Sequence, residues 1–460
     1  MTSDSDLLAH VQQRSTAPAS SSTPVSNRRR LVSWSILAII FVTLIALTPY
    51  NFRTGVNAQL GLQAEEAKIR GASERDPERT TREALKVVLG LIAVGGLLVP
   101  SRRRLTAANP AAWAGLAFLL MAAASPLWSD DPQLTVRRVL SLIVVSTLAV
   151  SIARFWDSRE VLAGIIAAMV AMLTLSLGTE LFFGVFTPFD PAYRFAGVSH
   201  PNDVAEVSGI LLVSALVGSM AWPAWRTRLR AVAGLSVVCL LLTRSRGGTA
   251  AAATAVALLM AIRLRRARAV LAVASLAAIG AVVALYLFGD QIRDALSQAV
   301  LMGRTAPHEG ADVGTFTGRT ELWSQLWRFV QYSPAIGYGY DSFWSPARML
   351  EILARQGWVP GTAHSGYLDM LLSLGAVGLV PWLALLASAP PLLLRRYRLT
   401  QDPADLAGAV ILPLIYVDMV IESALEGLTL PGLIAFVAIA SAVYVRPRGR
   451  TSVQCVAARD

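Results

Sequence analysis

Long apolar runs separated by short arginine clusters constrain this chain more than any other feature. A run of roughly 17–22 apolar residues can carry a helix across a hydrocarbon core about 30 Å thick. Twelve spans are expected, near 31–49, 84–100, 108–127, 134–152, 160–178, 204–221, 231–243, 248–262, 269–288, 366–392, 406–422 and 429–445. With 54% hydrophobic residues, 15% charged residues and a mean hydropathy of +0.53, the chain has too little polar surface for a water-soluble domain. The expected fold is therefore all-α: a polytopic integral membrane protein of about 12 transmembrane helices.

The formal net charge of +11 would suit a nucleic-acid partner if it were spread over one surface. It is not, because the basic residues fall in short clusters between apolar runs: Arg28–Arg30, Arg102–Arg104, Arg154 with Arg159, Arg226–Arg230, Arg263–Arg268, Arg395–Arg398 and Arg446–Arg450. Placed on the inner side, these clusters put both termini in the cytoplasm and exclude a nucleic-acid role. Deleting any single span would move half of them outside. Residues 1–30 form a disordered cytoplasmic tail on this reading, 31–446 the transmembrane domain and 447–460 a second cytoplasmic tail. The run after Arg30 is long for a signal peptide, and Pro49-Tyr-Asn-Phe52 offers no small-residue cleavage site, so a retained first span is expected. Cys239 and Cys455 imply no disulfide framework.

The same count leaves 50–83, 128–133, 179–203, 243–248, 289–365 and 423–428 outside, with the large loop 289–365 between spans nine and ten. In that loop Leu322, Leu326 and Val330 recur at helical spacing beside Trp323 and Trp327, as in an amphipathic helix packed on the bundle or the membrane. Arg319 stands at the start of that helix, where a cation gains nothing from the macrodipole and an external anion would explain it.

Spans seven and eight read as only about 13 and 15 residues, and about 1.5 Å per residue gives the shorter one ~20 Å. Arg244 and Arg246, in the turn between them, would then sit at or below the outer membrane boundary. Either they snorkel to headgroups, or they clamp a phosphate with bidentate guanidinium forks. Tyr193-Arg-Phe-Ala-Gly-Val-Ser-His-Pro-Asn-Asp203 adds Arg194 and His200 on the same face, with Pro201 and Asn202 as a turn and Asp203 as the expected N-cap. His364, in a loop at the membrane surface, could accept a hydroxyl proton near neutral pH, and Glu422 or Glu426 could orient it. No Ser-His-Asp order, zinc-type spacing or Walker loop occurs, and Asp4-Ser-Asp6 lies on the wrong face. No metal and no cofactor are expected.

The order Gly318-Arg-Thr-Glu-Leu-Trp323, Ser333-Pro-Ala-Ile-Gly-Tyr-Gly-Tyr340 and His364-Ser-Gly-Tyr-Leu-Asp369, followed by Gly375 and Gly378, resembles the O-antigen ligase and O-antigen or exopolysaccharide polymerase superfamily. The family pattern is an Arg shortly before a Trp, a Pro-x-x-Gly-x-Gly turn and a His-Asn-x-Tyr-Leu element ending in Gly-x-x-Gly. Ser365 replaces the usual Asn, and Ser373 stands where an acidic residue is common. The likeness is strongest over 190–430.

The resemblance implies a GT-C-like glycosyltransferase of the bacterial cell inner membrane. Its donor would be an undecaprenyl-pyrophosphate-linked glycan at the periplasmic face, and its acceptor another glycan or lipid A-core. It further implies a metal-independent inverting displacement, with His364 and Arg319 catalytic, Arg244, Arg246 and Arg194 on the lipid pyrophosphate, and Glu422 or His200 orienting. The rival is a transporter or flippase of lipid-linked sugars, which has no need of the loop 289–365.

Overall fold

The computed structural model describes residues 77–99, 101, 103–106, 109–190, 193–264, 319–356, 361–423 and 429–447, together with Ile40. The chain divides into two compact units, Met1–Phe41 and Val42–Asp460, and every described residue except Ile40 lies in the second. Outside the described residues fall the tail 1–30, the first span save Ile40, the ninth span, the loop stretch 289–318, Glu426 and the C-terminal tail beyond Pro447.

Among the described residues the order is α1 (Pro77–Leu98), β1 (Arg103–Leu105), α2 (Pro110–Ala124), α3 (Pro132–Phe155), α4 (Ser158–Phe182), α5 (Pro201–Ala221), α6 (Arg226–Leu242), α7 (Arg246–Leu264), α8 (Arg319–Tyr332), α9 (Pro346–Gln356), α10 (Gly366–Thr400), α11 (Pro403–Asp418), α12 (Leu430–Val443) and β2 (Val445–Pro447). Apart from the short antiparallel β1–β2 pair the protein is all-α. Among the described residues five stretches are long and apolar enough to cross a membrane: Pro110–Leu127, α3, α4, α5 and α10. This is a multi-pass membrane protein.

The helix starts follow from local chemistry. Asn109, Asp131, His200, Asp402 and Thr429 each cap a helix whose first positions include proline, and each accepts from a first-turn N–H. One of these caps corrects the sequence reading. His200, not Asp203, is the N-cap of α5; its Nδ1 accepts from Asn202 N at 3.3 Å, while Asp203 accepts from His200 N at 3.2 Å. A side chain at the third helical position reaches back to the cap, so the helix begins three residues earlier than a cap at Asp203 would place it.

Helices α6 and α7 run 17 and 19 residues, longer than expected. They extend through Arg226–Arg230 and to Leu264, because arginine is a good helix former and its charge does not end a helix at the membrane edge. At about 1.5 Å per residue they reach ~26 and ~28 Å, so short spans no longer set the depth of Arg244 and Arg246.

α5 is buried on nearly every side. Its small residues let neighbours approach: a Cβ at Gly248 would lie 2.5 Å from the Ala205 Cβ, and one at Gly209 would lie 3.1 Å from Leu414 Cδ1. Arginine clusters gather at one end of the bundle, where Arg103 donates to Ala153 O, Arg154 to Leu97 O, and Arg396 pairs with buried Asp405 and with Ser441. The starts of α5, α7 and α10 and the end of α11 meet at the other end.

α10 is broken at Gly375, whose backbone (φ 59°, ψ −164°) is essentially restricted to glycine. The break strands two carbonyls and two N–H groups, and the segment 334–339 takes all four. Tyr338 N donates to Leu372 O and Gly339 N to Ser373 O, each at 2.9 Å. Ala376 N donates to Pro334 O at 2.9 Å and Val377 N to Ala335 O at 3.0 Å. The Pro-x-x-Gly-x-Gly turn and the Gly-x-x-Gly element are thus two halves of one junction. Ser373 accepts from Asp341 N at 3.1 Å, and Asp341 pairs with Arg138 of α3 at 3.1 Å. As expected from their spacing, Leu322, Leu326 and Val330 are buried, against Phe343, Trp344 and Leu372.

A Cβ at Gly375 would fall 2.3 Å from Ala335 C, whereas one at Gly234 in α6 meets nothing within 4 Å. Gly375→Ala should therefore cost at least of the order of 1–3 kcal/mol. Gly234→Ala should be neutral or slightly stabilising. Thermal unfolding of both variants in detergent checks the pair, and equal melting temperatures would refute the junction.

Candidate functional site

The broken helix and its docked loop bring distant residues to one place. α8 starts with Arg319, which donates to Ile421 O and pairs with Glu422 Oε1 at 2.6 Å. The same Glu422 oxygen accepts from Asn202 Nδ2 in the first turn of α5, and Asn202 Oδ1 accepts from Arg194 Nη2 at 3.0 Å. Arg194 Nε donates to Thr243 O at 3.0 Å, tying this network to the turn before α7. Glu422 Oε2 lies 3.4 Å from His364 Nδ1. Arg194, Arg319, His364 and Glu422, singled out from the sequence, meet here: Arg319 and His364 contact Glu422 directly, and Arg194 joins through Asn202.

His364 immediately precedes the N-cap of α10 and has φ +49°, a left-handed backbone that costs a non-glycine residue about 1–2 kcal/mol. Its neighbours hold it there. Gly366 N donates to both Met419 O and Glu422 O at 3.0 Å, Trp323 Nε1 donates to Ala363 O at 2.8 Å, and His364 N donates to Thr362 Oγ1 at 3.3 Å. The contact to Glu422 is made by Nδ1, so the carboxylate orients the ring from that side.

Arg246 is the first residue of α7, at the positive end of the helix dipole and within electrostatic reach of Arg319. Its charge finds no carboxylate among the described residues, an arrangement that favours an anion between the two guanidinium groups. Arg244 also has a left-handed backbone, φ +50°, and donates to Asp190 O at 3.1 Å. That bond ties Arg244 to the end of the 179–190 stretch. His200 is exposed and serves as a helix cap, so the structure gives it a local backbone role.

Sequence reasoning missed three supports. Glu180, 4% exposed, accepts from Ala196 N and Gly197 N at 2.8 Å and from the Tyr193 hydroxyl, fixing the loop that carries Arg194. Asn202 is more than a turn former, and Asp369 is a buried acceptor rather than the end of a motif. A carboxylate inside an apolar span was the available signal for Asp369; Glu180 fell just past the expected end of its span.

Burial alone would push the Glu422 carboxyl up. The His364 hydrogen bond and the Arg319 and His364 charges outweigh that effect and hold it below its ordinary 4.5. A carboxyl whose folded value lies below its unfolded one contributes stability present above the unfolded value and lost as pH falls through the folded one. Melting temperature should thus drop as pH goes below about 4.5, and Glu422→Gln should flatten part of that slope. Parallel profiles for wild type and variant would contradict the pairing.

Residues 231–383 match the family profile described as O-antigen ligase. Over 275 residues the chain is 25% identical to the Exopolysaccharide production protein ExoQ of Rhizobium meliloti (strain 1021). That alignment covers 57% of this chain and 61% of the relative, so the chain matches about three-fifths of the relative's length. The profile match takes in Arg244, Arg246, Arg319, His364 and the Gly375 junction.

Proposed function

We propose that the chain, with its match to the O-antigen ligase profile and its likeness to an exopolysaccharide production protein, is a glycosyltransferase of that superfamily acting on lipid-linked glycans at the periplasmic face of a bacterial inner membrane. The donor on this reading is an oligosaccharide on undecaprenyl pyrophosphate, and the product a surface polysaccharide. The name of the relative, exopolysaccharide production, favours polymer growth over transfer to lipid A-core. Twelve spans, a GT-C-like arrangement and two cytoplasmic termini complete the proposal.

The observation that carries it is the Arg319–Glu422–His364 constellation with Arg246 opposite. His364 Nε2 takes the proton of the acceptor hydroxyl as its oxygen attacks the anomeric carbon from the face opposite the pyrophosphate. The new C–O bond forms as the anomeric carbon's bond to the pyrophosphate oxygen breaks, and that bond's electron pair leaves on the pyrophosphate oxygen, with inversion. Glu422 holds the Nδ1 side and stabilises the imidazolium that forms. Arg246, Arg319, Arg194 and Arg244 supply fixed positive charge for the leaving group. A flippase would need the cationic residues but not a strained imidazole held against a carboxylate.

His364→Ala should lower transfer about 10²–10⁴-fold while lipid-donor binding persists. Single-turnover transfer with a defined donor, beside donor binding by the same preparation, measures both. Near-normal transfer would make His364 structural. Because four arginines offer enough charge for a pyrophosphate, purified enzyme should also keep its activity in excess EDTA. Loss to the chelator and recovery with magnesium or manganese would overturn the arginine mechanism.

A further inference from the structure

Asp369 takes no part in the chemistry above, yet its carboxylate ties together the segments on either side of that chemistry. It sits in the first turn of α10 and is 3% exposed. Oδ1 accepts from Trp344 Nε1 at 2.8 Å and from Ala363 N at 2.9 Å. Oδ2 lies 3.1 Å from the same Ala363 N and accepts from Ser423 Oγ at 2.5 Å. Ala363 precedes His364, and Ser423 follows Glu422.

A carboxylate in the first turn of a helix often does no more than complement the helix dipole or cap free N–H groups. Asp369 differs, because these acceptor contacts all go to other segments: the docked loop, the residue before His364 and the connection after α11. A buried carboxylate also costs free energy unless its oxygens are paired, and here the partners are the neighbours of the proposed base and of its orienting carboxylate. The left-handed turn at His364 needs such over-determination, since a freed backbone would relax toward the ordinary helical or extended regions.

We propose that Asp369 is the positioning residue for the base: it fixes His364 through the Ala363 peptide and Glu422 through Ser423, and so sets the contact between imidazole and carboxylate. The proposal rests on His364 acting as base. Asp369 itself touches neither donor nor acceptor.

The test uses the full chain in nanodiscs with a defined lipid-linked donor. Asp369→Ala should lower kcat about a hundredfold, the scale of a 1 Å misplacement, with donor KM unchanged. Asp369→Asn should recover much of the loss, because its amide oxygen can still accept from Trp344 and Ala363 and its NH2 can donate to Ser423 Oγ. In a His364→Ala background, Asp369→Ala should cost nothing further, since there is no base left to position. An equal loss in both backgrounds, or a loss carried by donor KM, would overturn the proposal. Should Asp369→Ala fail to fold, Ser423→Ala removes one tie only. It should lower kcat with donor KM unchanged, and wild-type kcat would count against the proposal as decisively. A fully active His364→Ala variant is a separate outcome, which removes the base assignment and this proposal with it.

Discussion

Backbone groups inside a bilayer must find partners within the protein, because each one left unpaired costs several kcal/mol. α10 strands four of them at Gly375, about 13 Å from its start at 1.5 Å per residue. The segment 334–339 satisfies all four, and much of the site follows from that repair. Once the turn is seated, α8 lies against Phe343 and Leu372 and delivers Arg319 to Glu422. Trp344 reaches Asp369, and Arg348 stacks 4.1 Å from the Tyr338 ring while pairing with Asp130. The interruption of one helix thereby fixes the position of an otherwise external loop.

The electrostatics have the same economy. Several arginines converge where three helices begin, and a helix start already carries partial positive charge. Such a cluster would repel itself apart without compensation. Glu422 supplies part of it by pairing with Arg319 and accepting from Asn202, which in turn holds Arg194. Arg246 remains uncompensated among the described residues. Glu422, shared by Arg319 and Asn202, also faces the imidazole.

Much of this was legible in residue order. Apolar runs foretold a helix at most of the expected positions, and the spacing of Leu322, Leu326 and Val330 gave the buried face of α8. Arg319, His364 and Glu422 were chosen for their chemistry and the family likeness, and they meet. What failed was detail set by three-dimensional partners. The cap of α5 depends on whether His200 or Asp203 bonds first, which composition does not decide. The length of α6 depends on arginines that continue a helix past the apolar edge. Glu180 and Asp369 went unremarked because an isolated carboxylate acquires meaning only through the backbone it holds, here Ala196 and Gly197 for one and Ala363 for the other.

Of the four non-glycine residues with left-handed backbone among the described residues, Arg244 and His364 each stand two residues before a helix at the site, Asp341 lies in the docked turn, and Gln401 is an ordinary helix C-cap. The first two share a construction. Each sits in a turn leading into a helix, and each turn is pinned by bonds to other segments, Arg244 through Asp190 and His364 through the Asp369 and Trp323 contacts to Ala363. A left-handed residue redirects the chain sharply, so its side chain can project over the helix start rather than along the helix. On the reading offered above, this puts the phosphate-binding group and the base each beside helix N–H dipoles, on separate turns linked through Arg194, Asn202 and Glu422. Donor and acceptor machinery can then be strained and held independently, while Glu422 links the two and keeps them in register.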